Sequence, residues 1–127
     1  MKLERLILAM AEHEGWGALG DPKYPNGTRS YRHHNPGNLR VSPFAYKVID
    51  NYAVFKNDAI GFLAFQWDIL QKAKGNTSTG LGPNSTLRDL IFTWAPKSDG
   101  NDPEKYLADV VHNSGLPETL TLKELGA

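Results

Sequence analysis

Residues 3–16 read LERLILAMAEHEGW, and the interpretation of the whole chain starts from this stretch. Its apolar side chains recur at the spacing of one helical face: Leu3, Leu6, Ile7 and Met10. Gly15 is a residue that commonly follows the end of a helix. We therefore expect a helix over residues 3–13, with one face buried.

Glu14 falls at the carboxyl end of this predicted helix. At 100° per residue it points about 30° from the centre of the apolar face, whereas Glu12 points almost the opposite way. The helix dipole and partial burial both disfavour a negative charge there and raise the pKa of a carboxyl group, as a general acid requires. The competing interpretation is a helix-end glutamate that pairs with a neighbouring Arg or His, or that turns out to solvent.

The chain changes character after Glu14, and to about residue 57 it is rich in Gly, Pro, Asn and Tyr. The dipeptides Asp21-Pro22 and Asn35-Pro36 mark turns. Short runs typical of strands lie at residues 39–41, 46–49 and 52–55, with Asp50-Asn51 between the last two. This region predicts loops and a small irregular sheet.

The remaining residues favour helices. The patterns predict helices over residues 57–74, 87–93, 103–114 and 122–125, and the first of these is apolar around most of its circumference. Thr86 with Asp89, and Asp102 with Pro103, are typical of helix starts. The predicted fold is a single α+β domain over residues 1–127, predominantly helical, with a small irregular β-region after the first helix.

Composition excludes several classes of function. The chain has no cysteine, so disulfides, thiolate zinc sites and cysteine nucleophiles are ruled out. Its 14 basic and 14 acidic residues balance, which does not predict a nucleic-acid partner. No apolar run is long enough to span a bilayer or to serve as a signal peptide. Neither the histidine spacing nor any phosphate or dinucleotide motif predicts a metal or a cofactor.

The second candidate segment is Arg32-His33-His34-Asn35-Pro36-Gly37-Asn38-Leu39-Arg40. Asparagine amides offer both donors and acceptors, which suit sugar hydroxyl and N-acetyl groups. Aromatic side chains concentrate nearby, and their faces can stack on sugar rings or pack in a core. The alternative is a structural turn in which the asparagines bond to their own backbone.

Together these segments resemble the lysozyme-like domains of bacteriophages and related proteins that act on cell walls. The resemblance rests on Glu14-Gly15-Trp16, on residues 34–40, and on the later Trp94-Ala95-Pro96 and Asn101-Asp102-Pro103 with Tyr106. It covers about residues 5 to 125. His34 stands where the family pattern has asparagine.

The resemblance implies a lysozyme-like fold and cleavage of the β-1,4 bond between N-acetylmuramic acid and N-acetylglucosamine in peptidoglycan, without a cofactor. It implies that Glu14 is the general acid, with Asp21 and Thr28 as candidates for the second catalytic position. Their spacing departs from the family pattern, and Asp21 is equally explained by a turn. The candidate substrate-binding residues are Asn35, Asn38, Arg40, Trp94 and Tyr106.

Three functions stay open at this point. A hydrolase or a lytic transglycosylase would use Glu14 on peptidoglycan strands, although the usual Glu-Ser of transglycosylases is Glu14-Gly15 here. A second possibility is an inactive virion or baseplate module that binds glycan or other proteins of a phage particle or secretion apparatus. A third is an enzyme acting on chitin or chitosan. We expect synthesis in the bacterial cytoplasm without a signal peptide, and action at the cell wall after delivery or within a phage particle.

Overall fold

Helices dominate the computed structural model, which describes residues 1–16 and 23–126. The chain is 51% helical with one two-stranded antiparallel sheet, which confirms the predicted α+β, mostly helical class. The elements in chain order are α1 (Lys2–His13), α2 (Arg29–Arg32), β1 (Lys47–Ile49), β2 (Tyr52–Val54), α3 (Asp58–Lys74), α4 (Leu87–Trp94), a 3-10 helix (Lys97–Asp99), α5 (Pro103–Ser114) and a second 3-10 helix (Leu122–Gly126).

The chain divides into two compact units, residues 1–9 with 69–127 and residues 10–68. In the first unit α4 packs with α5, and the fully buried side chains include Leu6, Ile69, Leu87, Leu90, Ile91, Val110 and Leu122. In the second unit the buried apolar side chains are Met10, Ala11, Leu39, Ala53, Val54, Phe55, Ala64 and Phe65.

The end of α1 follows from Gly15 and Trp16. The N–H of Gly15 donates to the carbonyl of Glu12 (3.0 Å), and the N–H of Trp16 donates to the carbonyl of Ala11 (3.0 Å). This pair of bonds is the Schellman motif, and it requires the positive φ of +84° that Gly15 adopts. Glu14 is thereby fixed as the last residue before the chain turns away from the helix.

The starts of α4 and α5 agree with their sequence signals. The Thr86 side chain accepts from the N–H of Asp89, and the Asp89 side chain accepts from the N–H of Thr86, which completes a capping box. The Asp102 side chain accepts from the N–H of Lys105, with Pro103 at the first helical position. Gly115 ends α5 at φ +70°. These short-range predictions are confirmed.

The predicted sheet is smaller than expected. Strands β1 and β2 pair through the turn Asp50-Asn51, whose positive φ values of 52° and 67° are typical of a tight hairpin turn. The run at residues 39–41 is not a strand, so that prediction was wrong. The N–H of Ala53 in β2 donates to the carbonyl of Leu39. One such bond is too few to make residues 39–41 a strand, because a strand ladder consists of several backbone hydrogen bonds.

Helix α3 is buried along one face only, although its sequence is apolar around most of its circumference, so the expectation of a central helix buried on nearly all sides was wrong. Its buried positions, at the i, i+3, i+4 spacing of one face, are Gly61, Ala64, Phe65, Ile69 and Ala73. Leu63 and Trp67 are exposed. The Trp67 ring instead contacts Phe44 edge to face, with centroids 5.7 Å apart.

Asn35 is the polar centre of the unit formed by residues 10–68. Its side chain is completely buried. The amide nitrogen donates to the carbonyls of Leu39 (2.9 Å) and Ala53 (3.0 Å), and the amide oxygen accepts from the N–H of Leu39 (2.9 Å). The backbone carbonyl of Asn35 also accepts from the Ser30 hydroxyl (2.8 Å). One side chain therefore fastens the turn at residues 35–39 to β2.

We expect Asn35→Ala to lower the free energy of unfolding by about 3 kcal/mol, because it leaves buried donors and acceptors without partners. Urea denaturation followed by circular dichroism measures this change. Asn76→Ala is the matched control, since the Asn76 amide bonds to Gln71 on the surface. It should change stability by less than about 0.5 kcal/mol. Equal effects of the two substitutions would contradict the structural role of Asn35.

Candidate active site

A cavity of about 680 Å³ lies within the unit formed by residues 10–68. It forms where the end of α1, the segment before α2, α2 itself and the turn at residues 35–38 meet. The described residues that line it are His13, Glu14, Gly15, Tyr24, Thr28, Arg29, Ser30, Arg32 and Asn38. The structure thus brings together three of the residues predicted from the sequence, namely Glu14, Thr28 and Asn38.

Glu14 and Asn38 face each other in this cavity. The Asn38 amide nitrogen lies 3.4 Å from Oε1 of Glu14, within hydrogen-bond distance. Asn38 adopts a positive φ of 51°, a conformation that asparagine tolerates better than most residues. Its Oδ1 is buried and has no hydrogen-bond partner among the described residues. Asn38 therefore supplies both a donor to the carboxylate and an unused acceptor beside it.

Thr28 joins the end of α1 to the start of α2. Its hydroxyl donates to the carbonyl of Gly15 (2.9 Å) and accepts from the N–H of Tyr31 (3.3 Å). Its methyl group lies 3.0 Å from the position that a Cβ on residue 15 would occupy. Thr28 is therefore next to Glu14, with its only hydroxyl proton directed to the backbone.

Two arginines of α2, Arg29 and Arg32, line the cavity. Arg32 begins the second candidate segment but was not predicted as a site residue, and Arg29 was not predicted at all. Arg32 donates to the carbonyl of Gly27 (2.9 Å). The guanidinium carbon of Arg29 lies 4.0 Å from the centroid of the Tyr52 ring. The sequence feature that could have predicted both arginines is Thr28, a residue that often caps a helix. A helical turn that begins after Thr28 places residues 29 and 32 on the same side.

The other predicted site residues have different surroundings. Asn35 uses its amide within the fold, as described above, and presents no donor hydrogen to a ligand. Arg40 is exposed, with its guanidinium carbon 4.7 Å from the centroid of the Tyr52 ring.

The remaining predicted residues lie elsewhere in the chain. Trp94 and Tyr106 belong to the unit formed by residues 1–9 and 69–127. There, Tyr106 is buried and the Lys72 ammonium lies 5.1 Å from the Trp94 ring. Asp21 lies outside the described residues.

His33 is a buried titratable group at the carboxyl end of α2. Burial lowers its pKa below the usual value of 6.5, and the charges of Arg29 and Arg32 act in the same direction. The backbone of Ala53 and the charge of Asp50 act in the opposite direction without reversing the shift. The folded state therefore favours the neutral ring.

This shift predicts how stability depends on pH. Because the unfolded chain binds the proton more tightly, the contribution of His33 is complete above pH 6.5 and is lost as the pH falls below that value. We expect the free energy of unfolding to decrease with falling pH by at most about 1.4 kcal/mol per pH unit from this group. His33→Gln should remove that part of the slope in urea denaturation at several pH values, and His112→Gln, an exposed control, should not. An unchanged slope in His33→Gln would contradict this prediction.

Neither the described residues nor similarity to known proteins points to a different functional site. Among the described residues no three His, Asp or Glu side chains are grouped so that they could hold a metal ion. No helix in the described part of the chain is long and apolar enough to cross a membrane. No protein-family model, curated protein or solved structure matches this chain.

Proposed function

We propose that this chain has a lysozyme-like fold and is a peptidoglycan glycosidase in which Glu14 is the general acid. The observation that carries the proposal is the placement of the Glu14 carboxyl at the end of α1, in a cavity of about 680 Å³ and beside the Asn38 amide. A site for acid catalysis on a sugar needs a positioned carboxyl group in a polar cavity, and the Asn38 amide is placed to position Glu14.

The proposed reaction begins with proton transfer from Glu14 to the oxygen that bridges N-acetylmuramic acid and N-acetylglucosamine. The bond from the muramic C1 to that oxygen breaks, and positive charge develops on the muramic ring. In hydrolysis, water then attacks C1 and gives its proton back to the carboxylate. In transglycosylation, the 6-hydroxyl of the same muramic residue attacks C1 instead and gives its proton to the Glu14 carboxylate, and a 1,6-anhydro ring forms.

The difference from the Glu-Ser pattern has a local cause in this chain. Residue 15 has a φ of +84°, and a Cβ there would lie 3.0 Å from the methyl group of Thr28. Serine at this position would therefore be strained, whichever reaction follows. Mass spectrometry of the muropeptide products separates the two outcomes, since hydrolysis leaves reducing ends and transglycosylation leaves 1,6-anhydro ends.

The competing function is a lysozyme-like module that binds glycan without cleaving it. The observation in its favour is that the Thr28 hydroxyl donates to the Gly15 carbonyl, so its proton is not directed to a ligand. Chitooligosaccharide titration beside a turnover assay on cell walls distinguishes the two, because binding without cleavage favours the module. The same assay with chitin or chitosan tests the third class of activity.

Glu14→Gln should lower the rate of cell-wall cleavage at least about a hundredfold, the usual contribution of general acid catalysis. Glu12→Gln is the matched control, because Glu12 is exposed two residues before Glu14 and points to nearly the opposite side. We expect it to retain full activity. Turnover is measured as release of soluble muropeptides from purified cell walls, and full activity of Glu14→Gln would refute the assignment of the acid.

Asn38→Gly tests whether the Asn38 amide positions Glu14. Glycine tolerates the positive φ but lacks the amide N–H that approaches Oε1 of Glu14. The substitution should therefore lower kcat about fivefold, the kinetic equivalent of one hydrogen bond of ~1 kcal/mol. Wild-type kcat in this variant, with circular dichroism unchanged, would mean that residue 38 serves only the backbone turn.

A further inference from the structure

Two arginines share one aromatic ring beside the candidate active site. The guanidinium carbons of Arg29 and Arg40 lie 4.0 Å and 4.7 Å from the centroid of Tyr52, so they are within about 9 Å of each other. Guanidinium groups stack favourably on the electron-rich face of tyrosine. The ring therefore holds two long, flexible cations in a defined place.

Neither arginine has a carboxylate partner among the described residues. Elsewhere in the chain exposed arginine does pair, as Arg88 does with Glu104 and Glu118. Two neighbouring cations repel each other, and an anion bound to both would relieve that repulsion. The positive charge also acts on the protein interior, because Arg29 adds to the effect of burial in lowering the pKa of His33.

We propose that Arg29 and Arg40, supported by Tyr52, form a subsite for a carboxylate group of the glycan strand. This inference deepens the proposed function and rests on it. Arg29 lines the same cavity as Glu14, so the subsite and the acid face one bound strand. Two N–H groups of a guanidinium can donate to the two oxygens of one carboxylate. Stacking on a ring already restricts the arginine side chain, so less conformational entropy is lost when a ligand binds.

The subsite distinguishes peptidoglycan from neutral amino-sugar polymers. Chitin carries no acidic group, whereas muramic acid carries a lactyl carboxylate when its peptide is absent and stem-peptide carboxylates when the peptide is present. The two sources are chemically exclusive at the lactyl position, because the peptide forms its first amide bond there. Ligands of each kind therefore show which carboxylate the arginines bind.

Calorimetric titration tests the subsite on the full chain carrying Glu14→Gln, so that ligand is not consumed. The three probes are chitotetraose, the GlcNAc-MurNAc tetrasaccharide with free lactyl groups, and the same tetrasaccharide with stem peptides. We expect at least one acidic ligand to bind about tenfold more tightly than chitotetraose. Adding Arg29→Gln with Arg40→Gln should abolish that preference and leave the Kd for chitotetraose within about twofold.

Three controls test whether the ligand preference depends on these two arginines, on the Tyr52 ring and on electrostatic attraction. Lys47→Gln removes a cation that lies 5.2 Å from the Tyr46 ring and should leave the preference intact. Tyr52→Phe should retain the preference and Tyr52→Leu should weaken it, since only the leucine variant lacks the ring. Raising the salt concentration should reduce the preference for the acidic ligand.

The outcomes distinguish this inference from the function on which it rests. If the wild-type chain cleaves cell walls and the double arginine variant keeps its ligand preference, the subsite is refuted and the glycosidase stands. If the arginine variant loses the preference while Glu14→Gln retains full turnover, the subsite is supported and the assigned acid is refuted. If the chain neither cleaves cell walls nor binds any of the three probes, both proposals are refuted.

Discussion

The buried amide of Asn35 is the interaction on which the candidate site depends. Asparagine has two N–H donors, and both are used, one on Leu39 and one on Ala53. The bond to Leu39 closes the turn, and the bond to Ala53 ties that turn to β2. Asn38 lies inside the closed turn, so its approach to Glu14 follows from a side chain that does not touch the cavity. A buried, fully bonded polar group of this kind restricts the backbone to one arrangement.

A second constraint comes from the close approach of α3 to the same turn. A Cβ on Gly61 would lie 1.9 Å from the carbonyl oxygen of His34, and a Cβ on Gly37 would lie 2.8 Å from the Phe65 ring. Helix α3 can therefore approach the turn only because both positions are glycine. The contact is closed on its outer side by the His34 ring and the Asp58 carboxylate, 2.9 Å apart. The Asn-Pro-Gly-Asn segment thus serves packing as well as the cavity.

The parts of the fold that the sequence predicts well are those decided within a few residues. Gly15 as a helix end, Thr86 with Asp89 as a capping box, and Asp102 before Pro103 each act through bonds to near neighbours. The predictions that were wrong depended on distant contacts. The exposure of Trp67 follows from which face of α3 packs on the turn. Residues 39–41 lie beside β2 but make one backbone bond to it, through Leu39, which is too few for a strand ladder.

The candidate site was predictable to a similar extent. Glu14 was identified because its position at a helix end is a local property, whereas Asn35 was expected to contact substrate because its burial cannot be read from a short motif. Arg29 was missed because α2 is a single turn, Arg-Ser-Tyr-Arg, without an apolar repeat. The position of Arg29 is fixed by contact with the Tyr52 ring, which belongs to β2, and a contact between residues so far apart in sequence cannot be predicted from a short motif.

Arg29 and Glu14 line the same cavity, so the charge of Arg29 acts on the proposed general acid. A general acid must hold its proton until the bond breaks, and neighbouring cations favour loss of that proton. A substrate carboxylate bound at Arg29 and Arg40 would offset their charge while the glycan occupies the cavity. A neutral glycan would bind without the carboxylate contact, and it would leave the charge of Arg29 in the cavity of Glu14 without compensation. The arginines would then select the acidic polymer during the reaction as well as during binding.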